Sequence, residues 1–173
     1  SVGDTKGSRW QLCTAYTRIM CGIYGITAKD EAFINKYIDV CSHRGPDGRG
    51  VWSDNFVTLG HNLLAITEQS TNSQQPWTTP RGNILIYNGE IFNYYDLCAK
   101  FPDFIPKTEC DTELLAWGLD THGPAFIDLI DSMHAFAYYD FNNKKILLSR
   151  DHAGIKPLHY AEIAEGIVFG SEI

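Results

Sequence analysis

Positive charge is in short supply: 14 Lys and Arg stand against 21 Asp and Glu in 173 residues, a formal charge of -7. Such a balance argues against a nucleic-acid surface or an anionic-membrane surface, both of which call for clustered basic side chains. No apolar run approaches the roughly 20 residues that a membrane span needs. The first residues also lack the charged-then-apolar order of a secretory signal. The five cysteines, Cys13, Cys21, Cys41, Cys98 and Cys110, are odd in number, scattered and never spaced as Cys-x-x-Cys. That pattern offers neither a disulfide framework nor a zinc site, and it suits a reducing, cytoplasmic setting. A Gly-rich phosphate loop is missing too.

What is present is globular. Hydrophobic residues make up 44% and aromatics 13%, enough for one domain with a real core and too little chain for two. Residues 1–19 begin without methionine and carry neither helical nor strand periodicity, so they read as a leader, tag or upstream extension of a domain over residues 20–173. From there the pattern is coherent. A buried strand spans Ile23–Thr27, and Asp30 caps a helix carrying Phe33, Ile34, Tyr37, Ile38 and Cys41 at helical spacing. Ser42–Gly50 is a loop by its Gly and Pro content. Val57–Ile66 reads as a strand and Glu68–Arg81 as a long loop, a candidate lid. Ile84–Tyr87 is a strand ending in Asn88-Gly89. Helices follow over Tyr94–Lys100, Asp111–His122 (closed by Gly123) and Pro124–Ile130. The last third is strand-rich: Ala135–Phe141, Ile146–Ser149, Leu158–Ile163 and Ile167–Phe169, with a turn at Asn142-Asn143. Strands, then helices, then strands again define an α+β fold with largely antiparallel sheets. The chain stops without turn chemistry and reads as cut at its C-terminal end.

The chemistry centres on Met20-Cys21-Gly22-Ile23-Tyr24-Gly25. If Met20 is removed, Cys21 carries both a thiol and a free α-amine. Their reference pKa values, about 8.5 and about 7.7–8.0, lie close to cytosolic pH. One residue then supplies a nucleophile and its own base. A lone cysteine in an apolar run is more often a buried structural residue, so the rest of the chain must decide.

Cys21-Gly22-Ile23-Tyr24-Gly25, His43-Arg44-Gly45-Pro46-Asp47, Asn88-Gly89-Glu90-Ile91-Phe92-Asn93 and Arg150-Asp151…Gly154-Ile155-Lys156-Pro157-Leu158…Tyr160 follow one another in a single order. Together they resemble the glutaminase domain of glutamine-dependent asparagine synthetases, within the class II glutamine amidotransferases, from Cys21 to Ile173. The resemblance implies the N-terminal nucleophile hydrolase fold, a four-layer αββα sandwich of two antiparallel sheets. It implies hydrolysis of the glutamine side-chain amide by Cys21, with Asn88 and Gly89 as the oxyanion hole. It further implies a glutamine pocket in which Asp111 holds the α-ammonium and Glu90, Leu64 and Ile66 line the substrate. No metal or organic cofactor is implied for this domain. ATP and Mg belong to a C-terminal synthetase domain, the implied partner, and a homodimer stays open.

Simpler roles stand beside these. Asn-Gly is the commonest type I′ hairpin turn, and Asp111 is well placed as a helix N-cap. Arg44–Asp47 and Arg150–Asp151 can be paired surface charges. One departure is sharp: the family usually places an Arg for the glutamine α-carboxylate where this chain has Leu63. Either Arg44, Arg49 or Arg81 compensates, or glutamine binds poorly, or the substrate lacks that carboxylate. A degenerate interaction module, or an amidohydrolase feeding a non-aspartate acceptor, are the alternative functions.

Overall fold

The computed structural model describes residues 20–65 and 74–172. Among the described residues two antiparallel sheets are built from nine strands: β1 Gly22–Ile26, β2 Gly48–Ser53, β3 Thr58–Leu63, β4 Trp77–Thr78, β5 Ile84–Ile91, β6 Ser132–Asp140, β7 Lys145–Arg150, β8 His159–Ile163 and β9 Gly166–Gly170. The first sheet has the order β2-β3-β1-β9-β8 and the second β4-β5-β6-β7. The helices are α1 Glu31–Val40, α2 Tyr94–Lys100 and α3 Asp111–His122, followed by a 3-10 helix over Gly123–Leu129.

Alternation along the strands explains the layers. In β1, Tyr24 and Ile26 face outward and pack on Ile34, Ile38 and Cys41 of the α1 segment. The intervening Ile23 turns inward to Ile84, Ile86, Ala135 and Ala137 of the second sheet. In β5, Leu85, Tyr87 and Ile91 pack outward on Leu114, Leu115 and Leu119 of α3. The order is therefore α1, first sheet, second sheet, α2 with α3: the αββα sandwich expected. Asp30 caps α1 by accepting the Phe33 N–H at 2.9 Å, as its position before the apolar periodicity suggests.

Several boundaries differ from expectation, and each shift has a cause. The loop read over Ser42–Gly50 gives way to β2 at Gly48, because Gly48, Arg49 and Gly50 pair with Leu63, Asn62 and His61. The strand read as Val57–Ile66 is Thr58–Leu63, with Ile66 outside the described residues. The lid candidate Glu68–Arg81 falls partly outside them too, and its described part contributes β4. Most important, β5 does not end at Tyr87. Asn88, Gly89 and Glu90 remain in the ladder, opposite Ala135, His134 and Met133. Gly89 permits this: a Cβ there would lie 2.4 Å from the Met133 carbonyl oxygen and 2.6 Å from the Tyr87 ring. Beyond short β4, the Gln75 side chain acts as a surrogate strand, donating to the Tyr87 carbonyl at 3.0 Å and accepting the Tyr87 N–H at 2.5 Å.

His61 sits in β3 between these layers, fully buried, and neither ring nitrogen has a partner in hydrogen-bond geometry. Burial pushes its pKa down to about 3, with the Tyr87 backbone pulling weakly the other way. The unfolded chain therefore binds a proton that the folded chain refuses between pH ~6.5 and about 3. Stability from this group is complete above the unfolded value and falls as pH drops, with a limiting slope of about 1.4 kcal/mol per pH unit. We expect urea unfolding between pH 6.5 and 4.5 to show this slope, and His61→Phe to lose its share. His134, also held low by burial, keeps a residual dependence in the variant. An unaltered slope in His61→Phe would mean that His61 carries no such proton linkage.

Candidate active site

Cys21 precedes β1 and belongs to none of the three apolar clusters. Its surroundings are polar backbone and charge. The Leu64 N–H donates to Sγ at 3.4 Å, and the Leu64 carbonyl lies 3.9 Å away. Arg44 donates through Nε at 3.3 Å and Nη2 at 3.2 Å to the Cys21 carbonyl. Its Nη1 meets Glu172 Oε1 at 2.9 Å. Burial raises the Cys21 thiol pKa; the Leu64 N–H and the charges of Lys156 and Arg44 work against that rise. The glycine that follows is required by its neighbour: a Cβ on Gly22 would lie 2.0 Å from the Tyr24 hydroxyl.

The other candidate residues lie on β5, which packs against β1. Ile84 and Ile86 face the first sheet, so Asn88 and Glu90, two and four residues further on, share that face. Asn88 is only 3% exposed, and its Nδ2 is buried without a partner. A buried amide donor with nothing to donate to is costly, on the order of 1–3 kcal/mol. Glu90 is exposed on the same face, within electrostatic reach of Lys156.

Asp111 reaches this segment from the outer side. Cys110, not Asp111, is the N-cap of α3. The Asp111 side chain turns instead to β5, where Oδ2 accepts the Tyr87 hydroxyl at 2.9 Å and the Ile91 N–H at 3.0 Å. The capping role considered for it is thus not the one it plays. Burial raises its carboxyl pKa, and the Ile91, Tyr87 and Thr112 donors counter part of that.

Neither proposed charge pair within a motif is present. Arg44 pairs with Glu172, while Asp47 accepts the Ala65 N–H at 2.8 Å. Asp151 takes backbone N–H groups from Ile155 at 2.8 Å, Lys156 at 2.9 Å and His134 at 3.2 Å. Of the cations named as replacements at the Leu63 position, Arg49 is exposed and bound to Asp39 at 2.9 Å. Arg81 lies beside Asp120, near the start of β5. Only Arg44 is next to Cys21, and Leu63 itself is buried. The cation that sequence reasoning passed over is Lys156, which lies within electrostatic reach of Cys21, Glu90 and Arg44. Its place in the Gly154–Leu158 motif was the available signal.

A cavity of about 540 Å³ lies at the other end of the second sheet, among Asn83, Asp120, Tyr138 and Lys145. Its polar core is internally satisfied: Asp120 Oδ1 accepts Asn83 Nδ2 at 2.9 Å and the Tyr138 hydroxyl at 2.7 Å. It therefore presents no unmet donor comparable with Asn88.

Among the described residues no helix is long and apolar enough to cross a membrane. The family model of the glutamine amidotransferase domain matches residues 20–173. Asparagine synthetase [glutamine-hydrolyzing] 2 of Bacillus subtilis is 35% identical over 163 residues, 89% of this chain and 22% of its own length. Asparagine synthetase B [glutamine-hydrolyzing] of Escherichia coli is 33% identical over 147 residues, 81% of this chain and 26% of its own length. The chain thus spans about a quarter of the length of these relatives. Glutamine phosphoribosylpyrophosphate amidotransferase of B. subtilis, solved with ADP and GMP, shares the fold at a TM-score of 0.72 and 21% identity, over 88% of this chain and 42% of that one.

Proposed function

This chain belongs to the glutamine amidotransferase domain family, and from that premise we propose that it hydrolyses the side-chain amide of glutamine to glutamate and ammonia at Cys21. The observation that carries the reading is the buried, unpartnered amide of Asn88 on the sheet face that looks toward β1. In the proposed reaction the Cys21 thiol passes its proton to the freed α-amine as sulfur attacks the amide carbon. The carbonyl electron pair moves onto oxygen, where the Asn88 Nδ2 and the Gly89 N–H receive it. Collapse of that adduct expels ammonia, which takes its proton from the α-ammonium, and leaves a glutamyl thioester. Water, deprotonated by the same amine, then releases glutamate and restores the thiol.

Asp111 serves as the anchor for the substrate ammonium, with Leu64 and Glu90 beside the substrate; Ile66, expected there too, lies outside the described residues. Arg44 holds the Cys21 carbonyl and so the direction in which the nucleophile points. The hydrolysis itself calls for no metal or organic cofactor. ATP and Mg would act in a synthetase domain of a longer protein, which the ammonia would supply, with the whole protein working in the cytoplasm.

The test is Asn88→Ala, assayed by glutamate release in a chain that begins at Cys21. Loss of one preorganised oxyanion donor is expected to lower kcat by ~10²–10³-fold, with glutamine affinity altered little. An unchanged kcat would remove the oxyanion role. The interaction-module reading draws on buried Leu63, which offers no charge to an α-carboxylate. A glutamine titration of the same chain separates the two, because a module binds none.

A further inference from the structure

Lysine is seldom buried without a partner, because an ammonium taken out of water must be compensated. Lys156 is only 7% exposed, yet among the described residues no carboxylate lies within ion-pair distance of it. Its position is fixed by backbone. The Asp151 N–H donates to the His134 carbonyl at 2.8 Å, and the Asp151 carboxylate accepts the His134 and Lys156 N–H groups at 3.2 and 2.9 Å. His134 is in turn the cross-strand partner of Gly89. The turn after β7 is thereby fastened one strand away from Asn88-Gly89.

The charged groups that act on this ammonium are Cys21 before β1, Glu90 in β5, Arg44 after α1 and Asp151 after β7, and Arg44 brings with it its partner Glu172 and the loop residues His43 and Asp47. Most of the anions are already engaged. Asp151 is occupied by three backbone N–H groups, Glu172 by Arg44 and His43, and Asp47 by the Ala65 N–H. Glu90 is exposed and solvated. One further group within electrostatic reach of Lys156 can become an anion in a half-buried setting, the sulfur of Cys21.

We propose that Lys156 supplies the countercharge for the Cys21 thiolate, a positioning residue that acts on the reaction through the nucleophile; this rests on reading Cys21 as that nucleophile. Burial works against the charge on Lys156, and Cys21, Glu90 and Asp151 sustain it. The lysine keeps its proton throughout. Its field favours the thiolate over the thiol and disfavours a proton on a neighbouring amine. Both effects lower the pH at which the resting site becomes competent.

The experiment is the pH dependence of iodoacetamide alkylation in the whole 173-residue chain, with the Cys21 adduct quantified by peptide mass spectrometry. In K156M and K156Q the midpoint for Cys21 should rise by about one pH unit, slowing alkylation below the midpoint by about tenfold. K156R, which keeps the charge, should stay within about twofold of the parent. K156Q carries the test should K156M fail to fold. A midpoint unmoved in K156Q, even with a lower melting temperature, would overturn the proposal and leave Lys156 a structural residue. Glutamate release that survived Cys21→Ala would instead overturn the nucleophile reading beneath it.

Discussion

Cys21→Ala is expected to abolish glutamate release, by ~10⁴-fold or more, while leaving the fold as it is. The size follows from the covalent route: without sulfur there is no acyl-enzyme, and what remains is binding and the oxyanion donors acting on water. The harmlessness to folding follows from the packing. The sulfur touches the Leu64 backbone and no apolar cluster, so its loss opens no core cavity of the kind that costs several kcal/mol. Glutamate release and a urea unfolding curve on the same sample check both halves. Activity at the parental level would end the mechanism. Lost activity with a collapsed unfolding transition would show that the thiol is structural after all.

The second large effect concerns the nitrogen of Cys21. In residues 1–173 that nitrogen is a peptide amide, which has no lone pair to offer a proton. Freed, it is an amine with a reference pKa of about 7.7–8.0, attached to the same Cα as the thiol it serves. General-base assistance is typically worth ~10²–10⁴-fold. A chain beginning at Cys21 should therefore exceed the chain carrying residues 1–20 by at least that factor. Mass spectrometry of the N-terminus must accompany the glutaminase assay, because traces of processed chain would mask the difference. Equal activity from both forms would exclude the α-amine as the base.

How far the sequence reveals this site depends on the distance over which each feature is determined. The α1 cap at Asp30, the buried strand after Cys21, and the extent of α3 are local, and reading them from pattern succeeds. The Asn88-Gly89 pair shows where local reading fails. Turn chemistry there is outweighed by the ladder to Ala135 and His134 and by the close approach of the Met133 carbonyl, both set by residues more than forty positions away. Gly48-Arg49-Gly50 looks like loop for the same reason and is held as strand by β3. Asp111 could not be told from an N-cap by position, because its true partners, Tyr87 and Ile91, belong to another element. Lys156 is the clearest case. A lysine between isoleucine and proline carries no sign of burial in the sequence. Only the Asp151 turn, tied to β6, takes it out of water and brings it within electrostatic reach of the thiol.

The covalent intermediate offers the sharpest test of all. A chain beginning at Cys21, mixed with glutamine and quenched in acid within one turnover, should carry a glutamyl group as a thioester on Cys21, located by peptide mass spectrometry and removed by hydroxylamine. A glutamyl group on any other residue, or glutamate formed with no adduct at Cys21 at any quench time, would contradict the account.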